Sequence, residues 1–151
     1  MKKIVLVLIF LTLNNCGFSP LYSSKNSNYN VISIEKNISN NLTNYIHNSI
    51  SVLSNENSEK NFKINFDLVE DITVILKNSK GDPKKNRLTI TVDLSIFSQD
   101  QSLISVKEFS ESFEYNIQDN KFNLKQYEKN IKFNLVEQIT QEILVFLANV
   151  K

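Results

Sequence analysis

Leu88-Thr89-Ile90-Thr91-Val92-Asp93-Leu94-Ser95-Ile96 alternates apolar and polar side chains over nine residues without a break. Successive side chains of a strand point to opposite faces, so this segment reads as a strand with one face on a core and one in water. The same period of two governs the stretch before it. Phe62, Ile64, Phe66, Leu68, Ile72, Val74 and Leu76 occupy even positions, with Lys63, Asn65, Asp67, Thr73 and Lys77 opposite. Between the two lies NSKGDPKKN (78–86), whose Gly81-Asp82-Pro83 is a turn signal. After Ile96 the chain turns again at SQDQS (98–102), and a further strand is expected from about 103 to 117. Phe109, Phe113, Tyr115 and Ile117 share one of its faces; Ile104 and Val106 are out of phase, so a bulge is expected near Lys107-Glu108.

Outside this β block the period changes. Ile38, Leu42, Ile46 and Ile50 recur every four residues, the stripe of an amphipathic helix capped by Asn37 or Ser39 and ending near Ser54. Leu124, Tyr127, Ile131, Leu135, Ile139, Ile143, Phe146 and Val150 form a second, longer stripe from about 123 to 149. VISIE (31–35) is a short β-branched strand. The order β-α-β-β-β-α predicts an α+β fold: a two-layer sandwich in which a mostly antiparallel four-stranded sheet is covered on one face by two helices.

Composition narrows the chemistry. The chain has 151 residues, 41% of them hydrophobic, with Lys+Arg 17 against Asp+Glu 16. That is one domain, too apolar for disorder and too near neutral for a nucleic-acid partner. One Cys and one His leave no material for a thiolate metal site, and no Gly-rich phosphate loop or serine elbow occurs. No metal, no dissociable cofactor and no catalysis are expected. Glu70-Asp71 interrupts the second strand; neighbours on a strand face opposite ways, so the pair reads as a bulge or bend. His47 lies beside the first helical stripe and reads as a surface or boundary residue. Glu111 is in phase with Phe109 and Phe113, which an edge strand or a partner contact would explain.

The first residues have a different character. Met1-Lys2-Lys3 is followed by ten residues, IVLVLIFLTL (4–13), and then Asn14-Asn15-Cys16. Ten residues of helix span roughly 15 Å, about half a bilayer's hydrocarbon, so this is a signal segment and no membrane span. The single cysteine directly after it reads as a lipidation site, with an ordinary secreted protein as the alternative. Residues 1–15 are then a lipoprotein signal peptide, 16–30 a lipidated start and polar tether, and 31–151 one α+β domain. Without Lys2 and Lys3, fifteen basic residues face sixteen acidic ones.

The segment Cys16-Gly17-Phe18-Ser19-Pro20-Leu21-Tyr22 resembles the Cys-Gly-Phe-x-Pro-Leu-Tyr opening of the LptE family, lipopolysaccharide-assembly lipoproteins of the bacterial outer membrane. The element order is similar to that family along most of the remaining chain. The resemblance implies diacylglyceryl and N-acyl groups on Cys16 and a lipid-anchored, periplasm-facing position at the outer membrane. It also implies an LptD-type β-barrel partner that the protein plugs and helps to assemble, and binding of lipopolysaccharide in transit to the outer leaflet. In the motif Gly17, Phe18, Pro20, Leu21 and Tyr22, Pro20 favours an extended path. Phe18 and Leu21 pack either on the barrel or membrane boundary or on this protein's own core.

Lys77, Lys80, Lys84, Lys85 and Arg87 lie within eleven residues around the 81–83 turn, opposed only by Asp82. Clustered ammonium and guanidinium groups bind phosphates and acidic sugars through charge-assisted hydrogen bonds. These five are the candidate lipopolysaccharide site; the alternative is a solvated turn. Lys121, Lys125, Lys129 and Lys132 step along the last helix and read as its solvated face, with a second anionic patch as the lesser reading. Two other functions compete with the barrel plug: an auxiliary lipoprotein of a lipid-transport ABC system, and a structural envelope lipoprotein.

Overall fold

In the computed structural model, which describes residues 28–150, the alternating stretches become strands and the stripes become helices. They are β1 (Asn30–Lys36), α1 (Asn41–Val52), β2 (Asn61–Lys77), β3 (Pro83–Phe97), β4 (Leu103–Asn116) and α2 (Lys121–Asn149). The sheet order is β1-β2-β3-β4, with β1 parallel to β2 and the other neighbours antiparallel. A parallel neighbour requires a crossover, and α1 supplies it. The architecture is the expected α+β sandwich, with a mixed sheet. The signal segment, Cys16 and the 17–22 motif lie outside the described residues.

Register explains the core. Ile64 pairs with Ile96, Phe66 with Leu94 and Leu68 with Val92, and Val92 pairs in turn with Phe109. Directly paired residues share a face, so these side chains form one apolar sheet surface. Ile46 and Ile50 of α1 join it, as do Ile131, Leu135, Ile139, Ile143 and Leu147 of α2; all are buried. Each contributes on the order of 1.5–3 kcal/mol by leaving water. Tyr29, in the polar stretch before β1, is only 2% exposed and stacks on Phe62. Asn28 beside it donates to the Ala148 carbonyl at 3.2 Å and accepts from the Ser58 hydroxyl at 2.7 Å. The body of the fold therefore takes in residues 28–30.

Asn40 caps α1, in place of Asn37 or Ser39. Its Oδ1 accepts from the backbone N–H of Leu42 and of Thr43, both at 2.9 Å, while the Thr43 hydroxyl accepts from the Asn40 N–H at 3.0 Å. This reciprocal pair satisfies N–H groups that the first turn leaves open. Asn37 instead extends the β1 edge: its N–H donates to the Phe66 carbonyl, and its Oδ1 accepts from the Leu68 N–H. Ile38 consequently precedes the helix and is exposed.

Two expected irregularities fall elsewhere. The β3–β4 register runs unbroken from Lys85↔Asn116 to Ile96↔Ser105, so no bulge occurs at Lys107-Glu108; the break lies between Ile96 and Phe97. Lys107 shares the helix-covered face with Phe109. It is accommodated there because its ammonium stands 4.8 Å and 4.9 Å from the centres of the Phe109 and Phe146 rings. Glu70-Asp71 is likewise no bend: β2 and β3 stay in register from Lys63↔Phe97 to Val74↔Asn86, and break only between Val74 and Lys77. Glu70 faces the helical layer and forms an ion pair with Lys132 of α2.

The even-position stripe of β2 continues to Leu76, but its burial stops at Leu68. β1 ends opposite Phe66, and every residue of β2 from Val69 onward is exposed. There β2 is an uncovered edge strand, while its neighbour β3 stays buried on the helical side as far as Leu88, which lies opposite Ile72.

Candidate functional site

The five basic residues sit where β2 ends and β3 begins, in and beside the turn that joins them. The turn is built around Asn78, whose Oδ1 accepts from the N–H of Lys80 at 3.0 Å and of Asp82 at 2.8 Å. Its Nδ2 donates to the Asp82 carboxylate at 2.9 Å. Gly81 takes φ +88, a left-handed conformation open to glycine at little cost. Lys77 closes β2, paired with Pro83, and Lys80 sits in the turn. Lys84 lies beside the Ile117 end of the sheet, where its carbonyl accepts the Ile117 N–H.

Lys85 and Arg87 share the face of the sheet away from the helices. Both bind one carboxylate, Glu114 of β4: Lys85 Nζ at 2.6 Å from Oε2 and Arg87 at 2.7 Å from Oε1. The Lys85 hydrogen bond, then that of Arg87, hold the Glu114 carboxyl below the usual carboxylate range. The structure thus brings Lys85 and Arg87 together on Glu114, already partnered by it. Glu114 was missing from the sequence reading because its partnership depends on β3–β4 register, in which Arg87 lies opposite Glu114.

The open sheet face is mostly polar, with Val69 and Val106 as apolar exceptions. Thr89, Thr91, Asp93 and Ser95 of β3 stand beside Asp71, Val69, Asp67 and Asn65 of β2. Thr91 and Ser110 exchange a hydroxyl hydrogen bond at 3.1 Å. Across one level run three carboxylates, Asp67 opposite Asp93 and Asp93 opposite Glu108. Among the described residues, no group of His, Cys, Asp or Glu is arranged to hold a metal.

On the helical side, a groove of about 550 Å³ lies between the start of α1, β2 and α2. Lys125, Lys129 and Lys132 line it with Glu70, Glu128, Asn40, Asn41 and Leu42. Lys132 is committed to Glu70, and Glu128 accepts from the Tyr115 hydroxyl at 2.5 Å. Burial, then that bond to Glu128, push the Tyr115 phenol up to about 12. Glu111 is half-buried on β4, the outer strand of the sheet, so an edge position accounts for it. His47 is half-buried, its Nδ1 3.3 Å from Asn48 Oδ1.

No family model and no curated protein sequence matches the chain. Solved structures do. Rare lipoprotein B from Shewanella oneidensis superposes with a TM-score of 0.57 at 10% identity, over 80% of this chain and 98% of that one. A minor lipoprotein from Acinetobacter baumannii gives 0.62 at 14% identity, over 80% and 91%. The solution structure of an uncharacterized lipoprotein B from Nitrosomonas europaea gives 0.60 at 13%, over 77% and 80%. At such identities the likeness is one of backbone: the chain shares its fold with bacterial lipoproteins.

Proposed function

We propose that the protein is a lipid-anchored outer-membrane lipoprotein that plugs an LptD-type β-barrel, helps it assemble, and binds lipopolysaccharide on its way to the outer leaflet. The reading rests on one conjunction: a signal segment followed by Cys16-Gly17-Phe18-Ser19-Pro20-Leu21-Tyr22, ahead of a body with the fold of bacterial lipoproteins. The open sheet face suits a barrel lumen, which is polar, because Thr89, Thr91, Asp93, Ser95, Asn65 and Asp67 present hydroxyls, amides and charges along it. Acyl chains on Cys16 would meet the two-signal requirement for stable anchoring. The ligand's phosphates would meet Lys77, Lys80 and Lys84 at the β2–β3 turn, with Lys85 and Arg87 recruited from Glu114.

Affinity purification from native membranes in mild detergent, with mass spectrometry of what accompanies the protein, tests the partner. A near-equimolar large β-barrel is expected; inner-membrane transporter subunits, or the lipoprotein alone, overturn the plug. Replacing Lys84, Lys85 and Arg87 by Ser tests the ligand site, and undiminished lipopolysaccharide binding overturns it.

A further inference from the structure

The groove between the start of α1, β2 and α2 gathers positive charge that the fold leaves uncompensated. Lys125, Lys129 and Lys132 line it from α2, at spacings of four and three residues, where like charges on a helix repel. Lys132 is answered by Glu70. Glu128 stands between Lys125 and Lys132 in sequence and could pair with either, but its Oε1 accepts from the Tyr115 hydroxyl. Among the described residues, Lys125 and Lys129 form no ion pair. The first turn of α1 contributes another wall and, with it, the positive end of a helix dipole. Residues 1–27 carry Lys2, Lys3 and Lys25 and no Asp or Glu, so that part of the chain brings no side-chain carboxylate to these lysines. Their counter-charge must come from outside the chain.

The rest of the lining selects the kind of anion. Leu42 is its one apolar side chain, so an acyl chain finds no seat there. The side-chain amides of Asn40 and Asn41 are partners for hydroxyl groups. So are Glu70 Oε1 and Glu128 Oε2, the carboxylate oxygens that the bonds to Lys132 and Tyr115 do not use. An acidic peptide would set its own carboxylates against these two and offer few hydroxyls in return. A volume of about 550 Å³ is far more than a bare phosphate ion needs and lies within the range of small-molecule sites. Ammonium groups for an anion, beside acceptors for hydroxyls, match a sugar that carries a phosphate.

We propose that this groove binds a phosphorylated sugar, its phosphate between Lys125 and Lys129 and its ring hydroxyls on Glu70, Glu128 and Asn41. None of the five basic residues around the β2–β3 turn lines it. It is a second anion site, and it does not rest on the barrel reading.

Two-dimensional NMR of the full chain in mild detergent, titrated with glucose 1-phosphate, glucose and inorganic phosphate, tests the site. Glucose 1-phosphate is expected to shift the amides of residues 40–42 and 125–132 together, and to bind more tightly than the other two. Lys125→Gln and Lys129→Gln should each weaken it roughly ten-fold, the size of a lost charge-assisted hydrogen bond, with an unchanged circular dichroism spectrum; Lys129→Arg should keep it. Glu70→Gln, which releases Lys132, should tighten it, whereas replacing Lys84, Lys85 and Arg87 by Ser should leave it unaltered. Core oligosaccharide freed from lipopolysaccharide, added as competitor, separates the two sources of such a sugar: displacement of the probe identifies a lipid-borne glycan, and its absence a soluble sugar phosphate. The proposal is overturned by a titration without shifts at these two segments, or by affinity indifferent to both lysine substitutions. Inorganic phosphate or a triglutamate peptide binding as tightly as the sugar phosphate overturns it as well.

Discussion

Glu114 decides how much positive charge the start of β3 would offer the proposed anionic ligand. While ionised it holds both Lys85 and Arg87, so an incoming phosphate must compete with it. Glu114→Gln removes that competitor, and lipopolysaccharide binding measured by fluorescence titration should tighten roughly two- to five-fold, the range of a surface ion pair. Acid should act in the same direction. The carboxyl titrates below its unfolded value, so its stabilising contacts are complete above the unfolded pKa and are lost as pH falls through the lowered folded one. The opposite sign holds for Tyr29 and Tyr115, both raised from 10.0 to about 12, chiefly by burial. Above pH 10 the unfolded chain releases these protons and the folded one keeps them. Stability should therefore fall between about pH 10 and pH 12, with tyrosinate absorbance from these two residues appearing only on unfolding.

At the scale of elements, the sheet carries an internal repulsion. Asp67, Asp93 and Glu108 stand at one level on three adjacent strands, and directly opposed like charges destabilise a strand pair. Asp93→Asn removes both repulsions, and urea unfolding at neutral pH should show a gain of about 0.5–1 kcal/mol, smaller at high salt. The row was invisible to sequence reading, although Asp67 and Asp93 were correctly placed on the polar face. Period assigns a face; only register sets neighbours. The same limit explains Glu70, read as a bend and found in an ion pair with Lys132, sixty-two residues away. It also explains Lys107, whose aromatic seat is half built by Phe146 of α2. What was legible was what period and local chemistry decide: the element order, the buried faces of β3 and α2, and the turn at Gly81. The end of burial after Leu68 was not, because the apolar pattern of β2 runs on past the point where its cover stops.

Taken whole, the molecule has two unlike poles. At one, Asn28 contacts Ala148, Lys60 reaches Val150, and β1 and β2 begin side by side. At the other, the basic turn follows β2, a strand of 17 residues, roughly 55 Å in extension. A chain tethered at residue 28 would carry the basic turn to the end far from its anchor, the orientation the proposed ligand site requires. The closeness of Asn28 to the last turn of α2 has a separate implication. In a body trimmed to residues 28–151, a short flexible linker from Lys151 to Asn28, with a new opening between Gly81 and Asp82, would give a circular permutant that breaks no buried contact. That permutant should melt cooperatively with an unaltered circular dichroism spectrum. In it, the two strands that the parent chain joins by its hairpin would become the first and last elements of the polypeptide, so their pairing would have to form across the full length of the chain, and folding should slow even where stability is kept.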